Sequence, residues 1–273
     1  MKEQAFNLYR DIAERTDGDV YIGVVGPVRT GKSTLISRLM QELVLAGMAP
    51  GPKRERLTDE LPQSGSGKTI MTTQPKFVPS EAVTVTLGDQ ATVRVRMVDS
   101  VGYLVDGALG TEEEGAARMV HTPWFDYDIP FEQAAEIGTR KVIADHATIG
   151  LVVTTDGSIA DLPRDAYADP EERVVRELKQ LGKPFIIVLN SKAPQDSAAQ
   201  QLRQKMSDRY QVPVLAVNAK EMELEDIQGL FEQVVIQSAA TAARRWAGSI
   251  SADASNAEKV QLCRDHPHTV YRF

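Results

Sequence analysis

A single cysteine, Cys263, occurs in the 273 residues, so no disulfide can close within the chain and no cysteine zinc cluster can form. No apolar run approaches the roughly 18 residues that a membrane-spanning helix needs. The first residues, Met1 to Asp19, form a charged amphipathic stretch rather than a signal sequence. Positive charge is also scarce: Lys and Arg total 31 against 38 Asp and Glu, a formal charge of −7. That balance argues against a general nucleic-acid surface. These absences make a cytosolic protein the expected class. The remaining composition, 42% hydrophobic and 25% charged, is that of a globular chain long enough to bury a sizeable core.

What is present is Gly26-Pro27-Val28-Arg29-Thr30-Gly31-Lys32-Ser33, between the apolar run Val20 to Val25 and the helical pattern Thr34 to Ala46. A strand, a glycine-rich turn ending in Lys-Ser and a helix together read as a phosphate-binding P-loop. A triphosphate needs backbone N–H groups, a cation and a metal ligand gathered at one turn. Gly26 and Gly31 free the backbone to turn, Lys32 supplies charge to the β- and γ-phosphates, and Ser33 offers a hydroxyl to Mg²⁺. Gly26, Arg29, Thr30, Gly31, Lys32, Ser33 and Thr34 are therefore expected to face the nucleotide. Gly67-Lys68-Thr69 spells the end of a similar motif, but Pro62 stands where its first glycine belongs and no buried strand precedes it.

Along the chain, Phe6, Leu8, Tyr9, Ile12 and Ala13 recur near helical spacing. Gly47 to Gln74 lacks clean periodicity and is rich in Pro and Gly, so it reads as a long mobile, switch-like segment. Val83 to Leu87 and Thr92 to Val98 flank Gly88-Asp89 as a β-hairpin. Ile149 to Thr155, Pro184 to Asn190 and Val212 to Val217 read as buried strands, with helices at Phe131 to Ala144, Glu171 to Leu181, Ser197 to Tyr210 and Leu224 to Gln237. This alternation predicts an α/β fold of the GTPase-like P-loop NTPase class, with a mostly parallel sheet, one antiparallel edge strand and helices on both faces. Residues 1–237 form the expected nucleotide domain, and 238–273 read as a weakly ordered tail.

Met97-Val98-Asp99-Ser100-Val101-Gly102 places a carboxylate at the end of a strand with a glycine three residues later. Asp99 is expected to hold Mg²⁺ through a water, and the Gly102 N–H to meet the γ-phosphate, so that this loop senses hydrolysis. Thr72 and Thr73 sit where GTPase-like proteins carry the threonine that closes over Mg²⁺ and the γ-phosphate; either can fill that role, or the pair simply begins a strand.

Base selection departs from the GTPase pattern. Val188-Leu189-Asn190-Ser191-Lys192-Ala193 keeps the asparagine of Asn-Lys-x-Asp, as a candidate nucleotide-site residue, but has Ala193 where the guanine-reading carboxylate belongs. Loss of those charge-assisted bonds favours ATP over GTP. Tyr103 follows Gly102 where many such enzymes place a water-orienting glutamine, so turnover is expected to be slow. Arg29 has two readings: it stabilises charge on the transferred phosphoryl group, or it is an exposed arginine bridging to a surface carboxylate.

Several longer strings carry a specific resemblance: Asp11-Ile12-Ala13-Glu14-Arg15-Thr16, Gly26 to Leu35, Asp59-Glu60-Leu61-Pro62-Gln63-Ser64, Gly67 to Thr73, His121-Thr122-Pro123-Trp124, Glu136 to Val142 and Thr154-Thr155-Asp156-Gly157. Over residues 5 to 237 the chain resembles the stage IV sporulation protein A family of endospore-forming bacteria. The resemblance implies an ATPase domain derived from translation-factor-related GTPases, with Mg²⁺ and ATP. In that family hydrolysis drives self-polymerisation into the basement layer of the spore coat, on the forespore surface in the mother cell. Lys32 takes the Walker A role, Asp99 the Walker B role, and Thr72 and Thr73 the sensor-threonine role. Family members continue into middle and C-terminal regions that serve assembly and docking to the membrane-bound stage V sporulation protein M. Ala239 to Phe273 does not resemble those regions and reads as a truncated or frame-shifted end. Outside the resemblance, a GTPase switch acting on the ribosome or another client and a nucleotide-stabilised scaffold are the competing classes.

Overall fold

The apolar run before the phosphate loop becomes an inner strand of a mixed sheet. The computed structural model describes residues 19–62, 74–87, 91–113 and 115–253. Its main strands are β1 (Asp19–Val25), β2 (Lys76–Leu87), β3 (Ala91–Asp99), β4 (Ile149–Thr155), β5 (Phe185–Asn190) and β6 (Val214–Val217). They lie in the order β6-β5-β4-β1-β3-β2. All neighbours pair parallel except β2, which runs antiparallel to β3 along one edge. The order reverses direction at β1, which places a crevice beyond the carboxyl ends of β1, β3 and β4.

The helices are α1 (Lys32–Met40), α2 (Pro52–Glu60), α3 (Phe131–Lys141), α4 (Ala168–Gln180), α5 (Ser197–Tyr210) and α6 (Leu224–Asp253). α1 and α3 each run on into one π-helical turn, Gln41–Leu45 and Val142–His146. Because helices cover both faces, every residue of β4 and β5 is buried, and residues 149–153 and 185–189 within them are continuous apolar runs without alternation. Leu151 and Val153 of β4 join Leu35, Leu39, Ile227 and Phe231 on one side. Val152 joins Val142, Val174, Leu178 and Met206 on the other. Between β3 and α3 the chain forms two small antiparallel pairs, 112–113 with 116–117 and 119–120 with 129–130.

Three elements differ from the sequence expectation. The segment Gly47 to Gln74, read as mobile throughout, contains α2, which begins with Pro52 in its first turn and buries Leu57. One anchoring residue leaves no apolar stripe to read, so the helix carried no periodic signal. β2 starts at Lys76 rather than Val83, with a register shift between Val78 and Val83 that interrupts the alternation. The last helix continues past Gln237 to Asp253, through Ala239, Ala240, Ala242, Ala243, Arg244 and Arg245. Ala and Arg are strong helix formers, and their backbone preference carries the helix on where no amphipathic pattern marks it. The helix expected before Asp17, the Gly88-Asp89 turn and residues 254–273 lie outside the described residues.

Candidate nucleotide site

Gly26 to Ser33 connects β1 to α1 at the carboxyl edge of the sheet. Gly26 has φ 140°, and a Cβ there would lie 2.1 Å from the Val153 carbonyl oxygen, so the loop lies directly on β4 and only glycine fits. Thr30, fully buried, donates from Oγ1 to the Pro27 carbonyl at 3.0 Å and braces the turn. Lys32 is also buried, and its Nζ donates to the carbonyls of Pro27 at 2.6 Å and Gly26 at 3.4 Å. Burial lowers its pKa to about 8; Asp99 pulls it back upward, and the Arg29 charge adds to the lowering.

β3 pairs with β1 so that Asp99 stands opposite Val24, one strand from the phosphate loop. Ser33 Oγ donates to Asp99 Oδ2 at 2.7 Å. Burial raises the Asp99 pKa, against the Ser33 hydrogen bond and the Lys32 charge. Oδ1 of Asp99 is buried and has no hydrogen-bond partner among the described residues. A hydroxyl, a carboxylate with an unused buried oxygen and an adjacent phosphate subsite form the donor set that suits Mg²⁺, a hard oxygen-seeking ion that shares protein ligands with phosphates. Among the described residues no group of three or more His, Cys, Asp or Glu could hold a metal without such a phosphate.

The loop after β3 is tied to the phosphate loop, since the Val28 N–H donates to the Tyr103 carbonyl at 2.9 Å. Gly102 has φ 101°, and a Cβ there would lie 2.4 Å from the Gly26 carbonyl oxygen and 2.6 Å from Lys32 Nζ. Its N–H donates to Thr139 Oγ1 of α3 at 3.0 Å. Tyr103 points away from the crevice: it is buried and donates to Glu177 Oε2 of α4 at 2.5 Å, with Arg173 stacked over its ring at 4.2 Å. Burial first, and then the Glu177 carboxylate, push its phenol well above the ordinary range. It is a clamp between this loop and α4.

At the far end of the crevice Asn190 is buried; its Nδ2 donates to the Thr30 carbonyl at 2.9 Å and its Oδ1 accepts the Ala219 N–H at 3.0 Å. Asn190 thus braces the phosphate loop against the turn after β6. Ser191, the residue in the lysine position of the GTPase pattern, donates to Asp156 Oδ2 at 2.6 Å and links the ends of β5 and β4. Asp156 also accepts the Ser158 N–H at 2.9 Å. Arg29 is half-buried, with φ 63° and its charge acting on Lys32 and Tyr167. Thr34 lies within the first turn of α1. The structure therefore brings Gly26, Arg29, Thr30, Gly31, Lys32, Ser33, Thr34, Asp99, Gly102 and Asn190 to one crevice edge; Thr72 and Thr73 lie outside the described residues. Thr139, Asp156 and the Tyr103 clamp were missed by motif reading. The first two sit inside the family-like strings 136–142 and 154–157, which was the only signal available.

A strand, phosphate loop and helix whose serine bonds a β3 carboxylate beside a buried lysine, on a sheet with one antiparallel edge, define a P-loop nucleotide-binding protein of the GTPase-like class. The family model for the stage IV sporulation protein A ATPase domain matches residues 3–238, and the chain belongs to this family. It is 55% identical over 229 residues to stage IV sporulation protein A of Clostridioides difficile (strain 630), covering 84% of this chain and 47% of that protein. It is 51% identical over 231 residues to the Bacillus subtilis (strain 168) protein, covering 85% and 47%. The chain thus spans about half the length of these relatives. A solved structure of Era with MgGDPNP and a 16S ribosomal RNA fragment is also similar, with a TM-score of 0.45 and 16% identity over 81% of this chain and 57% of that one.

Proposed function

We propose that this chain is a slow ATPase of spore formation: it binds Mg·ATP on Gly26 to Ser33 and couples hydrolysis to self-assembly of the spore coat basement layer on the forespore surface. The observation that carries the reading is the contact of Ser33 with Asp99 beside the buried Lys32. Ala193, in the guanine-reading position, supports adenine over guanine.

On binding, Lys32 exchanges the Pro27 and Gly26 carbonyls for phosphate oxygens, and burial makes its charge effective there. The N-terminus of α1 directs its N–H groups at the same anion. Ser33 and Asp99 would hold Mg²⁺, which offsets charge on the transferred phosphoryl group. Gly102 would sense the terminal phosphate, and Thr72 and Thr73, which lie outside the described residues, remain the sensor-threonine candidates of the family resemblance. Tyr103 is committed to Glu177 and cannot orient the attacking water, which supports slow turnover. Recruitment to the forespore membrane through stage V sporulation protein M would use the family's other regions. Among the described residues no helix is long and apolar enough to cross a membrane.

Sedimentation of the purified chain with ATP, without nucleotide and with a non-hydrolysable analogue tests the coupling. ATP-dependent pelleting is the expected result, and assembly indifferent to nucleotide overturns it. Single-turnover assays of the wild type and Lys32→Ala test hydrolysis; equal rates would leave only a nucleotide-stabilised scaffold. Clear GTP preference in competitive binding overturns the choice of base.

A further inference from the structure

Helix α3 enters the nucleotide site through a side chain that no phosphate-loop pattern includes. Thr139 is completely buried near the C-terminal end of α3, and its Oγ1 accepts the Gly102 N–H at 3.0 Å. That amide belongs to a residue packed against Lys32 Nζ and the Gly26 carbonyl, at the mouth of the phosphate loop. An amide carries one proton. It can serve Thr139 or an arriving phosphate oxygen, but not both at full strength.

The neighbouring residue on α3 faces the entrance to β2. A Cβ on Gly138 would lie 3.2 Å from the Pro75 ring, at the entrance to β2. Glu136, on the same helix, pairs with Arg173, which stacks over Tyr103. Three nearby positions of α3 therefore touch the loop after β3, the entrance to β2 and the Tyr103 clamp.

We propose that Thr139 is a positioning residue that sets the chain's discrimination between triphosphate and diphosphate: it holds the Gly102 N–H and yields it to a terminal phosphate. A diphosphate leaves the Thr139 bond intact; a triphosphate breaks it, and α3 registers the difference. This rests on Gly26 to Ser33 being a nucleoside triphosphate site, and is independent of which base is bound.

The test compares the full chain with Thr139→Val, which keeps the shape and removes the acceptor, and Thr139→Ser, which keeps the hydroxyl. Affinities are measured with Mg²⁺ for ADP and a non-hydrolysable ATP analogue, and in parallel for GDP and its triphosphate analogue. In the valine variant the triphosphate no longer competes with Thr139, so the triphosphate-to-diphosphate affinity ratio is expected to rise about three- to tenfold, the worth of one hydrogen bond. The serine variant should keep the wild-type ratio. An unchanged or lowered ratio in a folded valine variant, or a serine variant that behaves like valine, overturns the proposal. On the wild type alone, the Gly102 amide resonance should shift with the triphosphate analogue and not with the diphosphate; equal shifts also overturn it. A chain that binds only guanine nucleotides would defeat the ATP reading while the guanine pair still decides the role of Thr139. Binding of neither pair defeats both.

Discussion

Ser33 and Asp99 meet through a 2.7 Å hydrogen bond that joins the first turn of α1 to the last residue of β3, and the second Asp99 oxygen is buried with no partner among the described residues. Burying a carboxylate with one oxygen unused is costly unless a cation shares the site. In titration calorimetry, wild-type affinity for a non-hydrolysable triphosphate should fall at least about tenfold when EDTA removes Mg²⁺. Asp99→Asn, which keeps the shape and loses the charge, should show the weakened affinity already and respond little to EDTA. An asparagine variant with full metal dependence would show that the ion sits elsewhere.

Tyr103 separates a structural clamp from a catalytic role. Its hydroxyl bonds to a carboxylate at 2.5 Å, and the Arg173 guanidinium covers the ring. Tyr103→Phe keeps the stacking and loses one partly exposed charge-assisted bond, for an expected loss of about 1–2 kcal/mol in urea unfolding. Hydrolysis per folded molecule should survive. A folded phenylalanine variant without activity would place the hydroxyl in the chemistry.

The sheet and the phosphate site were legible in the chain for different reasons. Residues 149–153 of β4 and 185–189 of β5 are unbroken apolar runs because helices cover both faces, and such runs need no context to be read. Gly26, Lys32, Ser33 and Asp99 were legible because each does a job that few residue types can do. Thr139 was not, because its role depends on α3 crossing beside Gly102, a contact 37 positions away that no local pattern encodes. α2 was hidden for the opposite reason: Leu57 is its one buried residue, and a single anchor has no period. Asn190 was expected beside the nucleotide, and the structure gives it both of its bonds inside the protein, to Thr30 and Ala219.

Asp156 should make a measurable pH-dependent contribution to stability. Burial pushes its carboxyl upward, but the Ser158 and Ser191 hydroxyls, the Ser158 N–H and Thr155 outweigh that and hold its pKa below the ordinary 3.8. A carboxyl whose folded pKa is depressed adds stability above its unfolded pKa and loses it as the pH falls through the folded value. Wild-type stability should therefore drop as the pH falls below about 4, and Asp156→Asn should flatten that part of the profile. At pH 7 the same change should cost about 1 kcal/mol, the worth of the weakened acceptor. Denaturant unfolding across pH 3 to 7 checks both, and parallel profiles for the two proteins would contradict them.

Gly26 and Gly47 make a paired test of how closely the phosphate loop lies on the sheet. Alanine at Gly26 must hold φ 140° and place its Cβ 2.1 Å from the Val153 carbonyl oxygen, a backbone atom in the middle of the sheet that cannot swing aside. Strain of this kind costs on the order of 3 kcal/mol, relieved only by lifting the loop off β4, which also pulls Lys32 from its place beside Asp99. Gly26→Ala should therefore lose both stability and nucleotide binding. A Cβ on Gly47, after the π-helical turn that follows α1, meets nothing within 4 Å. Gly47→Ala should leave binding unchanged and leave stability equal or raised by up to about 1 kcal/mol, because the unfolded chain loses more freedom than the folded one. Urea unfolding and nucleotide titration of both variants separate the local clash from a general intolerance of alanine; equal losses at the two positions would mean that contact with β4 is not what requires glycine at 26.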